Sequence, residues 1–283
     1  MKYLIFGATG NIGSRVTQRL IARGERASVF VRNAKKAKAL FGEQADVHVG
    51  DFEKPGVSLA RALAGIDKIF LVTDGPDLDL RDRAVAVAAK SAGVRHVVKL
   101  STLDVHTGVG TGTWHARGEL AIRESGVAFT FIQSAGFMLN ALGWAHSIRE
   151  RRVLRTPTGQ GKIAFIHEDD IADVAIAALT TRDYHDQSLI ITGPEALSYG
   201  EMAAIIGGAI GKRVRFEQIS DQQAYAGVVR WAGKGLYADA MIDIWRAVRE
   251  GRLANVSDGV QRVLARKPIS FHRWVEENAN AFQ

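Results

Sequence analysis

The chain has 283 residues, of which 47% are hydrophobic and 24% charged, and its formal net charge is +7. This composition is typical of a globular protein with a continuous core, and it excludes a largely disordered chain. The sequence contains no cysteine, which excludes disulfides, zinc–thiolate sites and thiol catalysis. Lysine and arginine are scattered along the chain, a pattern that disfavours nucleic acid as a partner and would still attract a phosphate-bearing ligand.

Hydropathy bears on the location of the protein. No segment approaches the roughly 18 consecutive apolar residues of a membrane span. Met1 and Lys2 lead directly into the first predicted strand, which leaves no room for a signal peptide. We therefore expect a cytoplasmic protein without a membrane partner.

Short apolar segments alternate with segments of helical periodicity over the first half of the chain. The predicted strands are Tyr3–Phe6, Ala27–Val31, Asp46–Val49, Lys68–Val72, His96–Leu100 and Phe129–Ile132. A helix over Asn11–Ala22 joins the first two. This alternation predicts right-handed crossovers and a parallel sheet, so the fold class is α/β, a doubly wound Rossmann sheet. Its ligands should bind at the carboxyl ends of the strands.

The alternation becomes irregular after Gln133. The predicted elements are a helix over 137–148, a turn-rich stretch over 156–161, a helix capped by Asp169-Asp170 and ending at Leu179, a strand over 188–192, a helix over 199–210, a strand over 214–219, and helices over 222–231 and 236–248. We predict a nucleotide-binding domain over 1–150, rejoined by about 166–193. A smaller, interleaved C-terminal α+β lobe over 151–283 should bind the substrate.

A glycine-rich turn, Gly7–Gly13, follows the first strand and opens the first helix. Gly7 permits a tight turn, Gly10 lets the backbone approach a pyrophosphate, and Gly13 lets the helix pack on the strand. The amino-terminal end of the helix attracts phosphate. In this context the motif predicts a dinucleotide site. Its expected cofactor contacts are Gly7, Thr9, Gly10, Asn11, Ile12 and Gly13.

Basic and polar residues, Arg32, Asn33 and Lys36, follow the second strand. A carboxylate at this place would hold the ribose hydroxyls of NAD, whereas the planar fork of an arginine suits the 2′-phosphate of NADP. The cofactor is therefore predicted to be NADP(H) rather than NAD(H). A solvated basic start of the next helix is the alternative, and it applies more strongly to Lys36 than to Arg32.

The ends of the third and fourth strands supply further candidates. Asp51 could accept a hydrogen bond from the adenine amino group, or it could cap the following turn. Phe52, Val72 and Thr73 occupy corresponding strand-end positions and are predicted cofactor contacts.

The most informative stretches of the sequence, taken together and in this order, are Gly7–Gly13, Val31–Asn33, Gly50–Phe52, Trp114–Glu119, Glu124–Val127, Gly136–Asn140, Ile166–Ala172 and Thr192–Tyr199. Through these stretches the sequence resembles the NmrA-like family, atypical members of the short-chain dehydrogenase/reductase superfamily. The stretches occur in the family's order over nearly the whole chain. Family members include bacterial quinone oxidoreductases, triphenylmethane reductases and NADP(H)-sensing regulators, so the resemblance implies nucleotide binding more firmly than catalysis.

The resemblance also indicates where chemistry would occur. It places Ser101 and Thr102 at a polar active-site position and His115 near the nicotinamide ribose, as candidate catalytic residues and, for Ser101 and His115, cofactor contacts. Glu119, one helical turn after His115, could hold or charge the imidazole. Strand-end capping and a structural histidine are the alternatives. Gln133, a further predicted cofactor contact, stands where the family usually has arginine.

One feature of the superfamily is missing. None of the five tyrosines is followed by a lysine four residues later, so the usual activated phenol is lacking and any proton donor must be another group. In the second lobe we predict that Phe137, Met138, Trp231 and Tyr237 line an apolar cleft for a flat aromatic substrate. Ordinary core packing is the alternative for these side chains.

Two functions are consistent with this pattern. The first is an NADP(H)-binding oxidoreductase, without a metal, that transfers hydride directly from NADPH to a flat, electron-poor acceptor such as a quinone. Such acceptors form resonance-stabilised products and need little acid catalysis. The alternative is a non-catalytic NADP(H)-sensing regulator that acts through a protein partner. Either would be a monomer or a homodimer.

Overall fold

The computed structural model describes residues 1–51 and 56–283, with Trp231 described by its backbone alone. The strands are β1 Lys2–Phe6, β2 Arg26–Val31, β3 Ala45–Val49, β4 Lys68–Leu71, β5 His96–Thr102, β6 Phe129–Ser134, β7 Val153–Thr156, β8 Lys162–Ile163, β9 Gln187–Ile191, β10 Leu197–Ser198 and β11 Arg215–Gln218. The helices are α1 Asn11–Ala22, α2 Ala34–Phe41, α3 Gly56–Leu63, α4 Leu78–Ser91, α5 Gly112–Glu124, α6 Ala145–Arg151, α7 Glu168–Thr180, α8 Tyr199–Ala209, α9 Asp221–Ala232, α10 Leu236–Arg249, α11 Gly259–Leu264 and α12 Phe271–Asn278. Three 3₁₀ segments cover Leu103–His106, Met138–Trp144 and Ala279–Phe282.

These elements form two compact units. The first contains residues 1–105, 113–134 and 171–190, and the second contains 106–112, 135–170 and 191–283. The chain therefore passes between the units several times. The sequence predicts a nucleotide-binding domain over 1–150 that is rejoined by about 166–193. The first unit contains 171–190, because β9 belongs to its sheet, and it excludes 106–112 and 135–150.

The first unit is built on a seven-stranded sheet in the order β3-β2-β1-β4-β5-β6-β9. All pairings among its first six strands are parallel, which confirms the predicted doubly wound α/β class. The order reverses between β1 and β4, and a crevice opens at such a reversal beyond the carboxyl ends of the strands. The expected ligand site is therefore at the end of β1.

Burial explains why these segments form strands. β1 and β2 are buried at all but their first residues, as expected for strands that are covered by helices on both faces. The rings of Phe6 and Phe30 lie 5.3 Å apart and join the ends of β1 and β2 within the core. α1 packs through Ile12, Val16 and Leu20, one residue per turn on a single face.

The second unit has its own core and two small sheets. β7 pairs in parallel with β11, and β8 pairs antiparallel with β10. Tyr199, Phe271, Trp274 and Phe282 are buried in one cluster. α8 begins with a capping box in which the Ser198 hydroxyl accepts from the backbone of the third helical residue.

Two predicted elements differ from the structure. The helix expected over 137–148 is a 3₁₀ segment followed by α6, because the Met138 N–H donates to the Ile166 carbonyl at 2.9 Å and fixes the entering chain outside an α-helix. Asp169 and Asp170 do not cap α7; they lie within its first turn. The His167 ring accepts from the Asp169 N–H at 3.0 Å instead.

The carboxylate of Asp170 has a different function from the predicted capping. It accepts from the Arg266 guanidinium at 2.6 Å and from the Ile269 N–H at 2.8 Å, so it fixes a C-terminal loop.

Across residues 1–51 and 56–283, none of the helices has both the length and the apolar character needed to cross a bilayer.

Candidate nucleotide site

The glycine turn has the close contacts that the motif predicts. Gly7 has φ +68°, and a Cβ there would lie 2.9 Å from Cβ of Val72 on the neighbouring strand end. A Cβ on Gly13 would lie 2.2 Å from the Gly7 carbonyl oxygen. Both positions therefore require glycine, the first for its backbone conformation and the second for close packing.

Gly10 leads the chain into α1. Its N–H donates to the Gly7 carbonyl at 2.9 Å, and α1 begins without a side-chain cap at Gly10. The N–H groups of the first helical turn therefore have no side-chain cap as an acceptor, and they can bind a phosphate. This donor set and the close-packed glycines fit a dinucleotide pyrophosphate.

A cavity of about 280 Å³ lies beside the turn, slightly below the range that is common for small-molecule sites. It brings together the ends of β1, β2, β3 and β4. Its lining residues are Gly7, Ala8, Thr9, Phe30, Val31, Arg32, Gly50, Asp51, Val72, Thr73, Asp74 and Arg81. Six of the predicted cofactor contacts thus line one cavity: Gly7, Thr9, Arg32, Asp51, Val72 and Thr73.

The residues after β2 divide into two groups. Arg32 is exposed and lines the cavity. The Asn33 side chain caps α2 by accepting from the Lys36 N–H at 3.0 Å. This local contact explains the asparagine without a cofactor. Lys36 is exposed on α2, and Phe52, another predicted contact, lies outside the described residues.

A buried ion pair lies directly behind the cavity wall. The Lys99 ammonium on β5 lies 2.7 Å from the Asp82 carboxylate of α4, and both side chains are fully buried. The Thr73 hydroxyl donates to Asp82 at 2.7 Å and accepts from Lys99 at 2.9 Å. The hydroxyl proton of Thr73 is therefore used in the hydrogen bond to Asp82 and not in one to a ligand. The ion pair also fixes the position of Thr73 at the cavity.

His115 lies on α5 and is half-buried. Burial and the charge of Lys99 lower the pKa of its imidazole from 6.5 to about 3, so the ring is neutral at pH 7. Its Nδ1 is buried and has no hydrogen-bond partner among the described residues. A neutral ring can accept or donate one hydrogen bond, but it is not a charged acid.

Glu119 does not serve His115 as expected from the sequence. Its buried carboxylate accepts from the Ser101 hydroxyl at 2.6 Å and from the Gln133 amide at 2.9 Å and 3.1 Å. Gln133, predicted to contact the cofactor, thus contacts Glu119. Ser101 and Gln133 sit side by side on β5 and β6, which brings both donors to one carboxylate.

Thr102 makes a local contact of the kind expected at a strand end. It accepts from the Asp104 N–H at 3.3 Å and donates to the Asp104 carboxylate at 3.2 Å. This arrangement favours capping over substrate binding.

The residues predicted to contact a substrate lie in the second unit. Met138 is 1% exposed and belongs to the core, a position that favours the packing alternative. Phe137 and Tyr237 are half-buried. Trp231 lies in α9, and its side chain is outside the described part of the structure.

Sequence reasoning missed Asp82 and Arg81. For Asp82 a signal was present, because Lys99 stands inside an otherwise apolar strand, and a lysine is rarely buried without a partner. The partner itself is on α4 and could not be chosen from the sequence. Arg81 had no comparable signal.

A Rossmann sheet with a glycine turn, a free helix start and a cavity at the strand ends defines a nucleotide-binding protein. The profile of the NmrA-like family matches residues 1–238. An NAD(P)H azoreductase of Xenophilus azovorans is 36% identical to the chain, over 99% of the chain and 98% of the relative. Quinone oxidoreductase 2 of Escherichia coli is 27% identical, over 92% of each protein.

The fold agrees with that of solved structures. The triphenylmethane reductase of Citrobacter sp., complexed with NADP(H), superposes with a TM-score of 0.87 at 23% identity, covering 99% of this chain and 100% of that one. The chain belongs to the NmrA-like family. It is an NAD(P)H-dependent oxidoreductase, and these findings favour an enzyme over the regulatory alternative.

Proposed function

We propose that the protein is an NADPH-dependent reductase that transfers hydride to a flat, electron-poor small molecule such as a quinone. The preference for NADPH over NADH rests on the position of Arg32. This residue lines the same cavity as the glycine turn, and it follows β2 where NAD-selective folds place a carboxylate. Asn33 beside it is used as a helix cap.

The residues present would hold the cofactor in a simple way. Backbone N–H groups at the start of α1 bind the pyrophosphate, and Arg32 binds the 2′-phosphate with its planar fork of donors. Asp51 accepts from the adenine amino group. When bound, the nicotinamide supplies the hydride.

His115 is proposed to orient the reacting groups. Because its imidazole is neutral, it serves as a hydrogen-bonding group. Ser101 is held against Glu119, and its hydroxyl would have to leave this contact before it could reach another oxygen. Thr102, engaged with Asp104, is the least suited of the three predicted catalytic residues.

The acceptor is proposed from the chemistry that the chain lacks and from its relatives. No tyrosine is followed by a lysine at the superfamily spacing. An acceptor whose reduced form is resonance-stabilised can take up hydride without a strong acid. Reduction of a simple ketone does require a proton donor. The relatives named NAD(P)H azoreductase and quinone oxidoreductase 2 support this class. Phe137, Met138, Trp231 and Tyr237 stay a prediction for acceptor binding.

Steady-state oxidation of NADPH against matched panels tests this proposal. One panel holds quinones and aromatic azo compounds, and the other holds simple aliphatic ketones. We expect acceptor-dependent turnover with members of the first panel alone. Turnover confined to ketones would contradict the acceptor class, and tight NADPH binding without turnover on either panel would support the regulatory alternative.

A further inference from the structure

A second arginine, Arg81, lines the nucleotide cavity together with Arg32. It lies in the first turn of α4, so its backbone is fixed by the helix. Its guanidinium donates one hydrogen bond to the Asp74 carbonyl oxygen. A guanidinium carries five N–H donors, so most of them remain available to a ligand.

Arg81 differs from its neighbours in its ionic partners. Arg83 on the same helix pairs with Glu124 at 2.9 Å, and Arg117 on α5 pairs with Asp79 at 3.4 Å. Within 1–51 and 56–283, no carboxylate oxygen lies within 4.0 Å of a guanidinium nitrogen of Arg81, the distance that defines an ion pair. Among the described residues its guanidinium is thus not held in a direct ion pair, although Asp51 and Asp74 line the same cavity.

The loop next to Arg81 holds the guanidinium in place. The Asp74 carboxylate accepts from the Gly75 N–H at 2.7 Å. Gly75 has φ +90°, and a Cβ there would lie 3.4 Å from the Arg81 guanidinium nitrogen. The guanidinium therefore packs on the glycine backbone at the rim of the cavity, which lowers the entropy lost when it binds a ligand.

The charges around the cavity favour an anion-binding function for Arg81. Asp51 and Asp74 also line it, and two carboxylates oppose the entry of a ligand that carries several phosphates. Arg32 alone would leave the lining with a net negative charge. With Arg81, two guanidinium groups offset the two carboxylates, so the lining as a whole no longer repels a phosphate-bearing ligand.

The sheet order indicates which phosphate Arg81 would meet. β2 and β4 flank β1 on opposite sides. Arg32 follows β2, whereas Val72–Asp74 and Arg81 follow β4. The glycine turn lies between them, and Gly7 packs on Val72. Arg81 is therefore beside the expected pyrophosphate position and across the turn from the 2′-phosphate site.

We propose that Arg81 is a second phosphate-binding residue, which binds the pyrophosphate shared by NADPH and NADH. This inference rests on the proposed nucleotide site. It assigns the two arginines separate functions: Arg81 contributes affinity for both nucleotides, and Arg32 discriminates between them.

Calorimetric titration of NADPH and NADH into Arg81→Met tests this division, since methionine keeps the apolar stem without the charge. Loss of a charge-assisted phosphate contact should weaken both nucleotides by about tenfold or more, and by similar factors. Arg83→Met removes a charge from the same helix outside the cavity and should change neither affinity. Arg32→Ala should weaken NADPH alone.

The outcomes distinguish this inference from the proposed function. Unchanged affinities in Arg81→Met, or a loss confined to NADPH, would overturn the assignment of Arg81. Failure of the unaltered protein to bind either nucleotide would instead overturn the nucleotide site itself. A melting curve of each variant without nucleotide confirms that the variants are folded.

Discussion

Replacement of His115 by alanine is expected to lower the turnover number by about 10²–10³-fold, the usual effect of removing one hydrogen-bonding side chain that is positioned at the reacting groups. The affinity for NADPH should hardly change, because the proposed phosphate contacts lie at the glycine turn, at Arg32 and at Arg81. The measurements are the rate constant per folded molecule and the NADPH dissociation constant of the same preparation.

His115→Gln is the matched control, because an amide retains neutral hydrogen bonding. It should retain more activity than His115→Ala.

Because the pKa of folded His115 is about 3 and its ordinary value is 6.5, the unfolded chain binds a proton first as the pH falls. This residue's contribution to stability is therefore present above pH 6.5 and lost toward pH 3. A variant with reduced acid sensitivity but undiminished turnover would remove His115 from the active site.

Replacement of Lys99 by methionine is expected to destabilise the first unit by about 3–5 kcal/mol, the usual cost of leaving one partner of a buried ion pair uncompensated. Asp82 would then remain fully buried without its counter-ion. Thr73 would lose one of its two contacts, so the cavity wall should also loosen. The measurements are the free energy of unfolding in urea and the NADPH affinity at a temperature where the variant is folded.

The double variant Lys99→Met/Asp82→Leu is the control for the loss of charge itself. Two apolar side chains of similar size in place of the pair should recover much of the stability, because neither charge is then left unpaired. If Lys99→Met were as stable as the unaltered protein, or if the double variant were much less stable than the single one, the structural assignment of this pair would be wrong.

The parts of the fold that sequence reasoning predicted are those with a local physical signal. β1 to β6 are short apolar segments between helical ones, and the parallel sheet follows from their alternation. The glycine turn was also readable, because Gly7 and Gly13 are required by a backbone conformation and a close contact that involve nearby residues. Two-residue strands such as β8 and β10 have no such signal.

The parts that could not be predicted depend on choices between distant partners. Glu119 is one helical turn from His115, which suggested an imidazole–carboxylate contact. In the structure its carboxylate instead receives donors from β5 and β6. Likewise Lys99 finds Asp82 on α4 rather than a neighbour on its own strand. A periodicity identifies which face of an element is buried, but it does not determine which polar groups meet there.

Calorimetric titration of NADPH and NADH into the unaltered protein and Arg32→Ala tests the proposed NADPH site most directly. Loss of the guanidinium should weaken NADPH by about tenfold to a hundredfold, the effect of one charge-assisted phosphate contact. The affinity for NADH should remain nearly the same, because NADH has no 2′-phosphate. Equal losses for the two nucleotides, or an unchanged affinity for NADPH, would contradict the placement of the 2′-phosphate at Arg32.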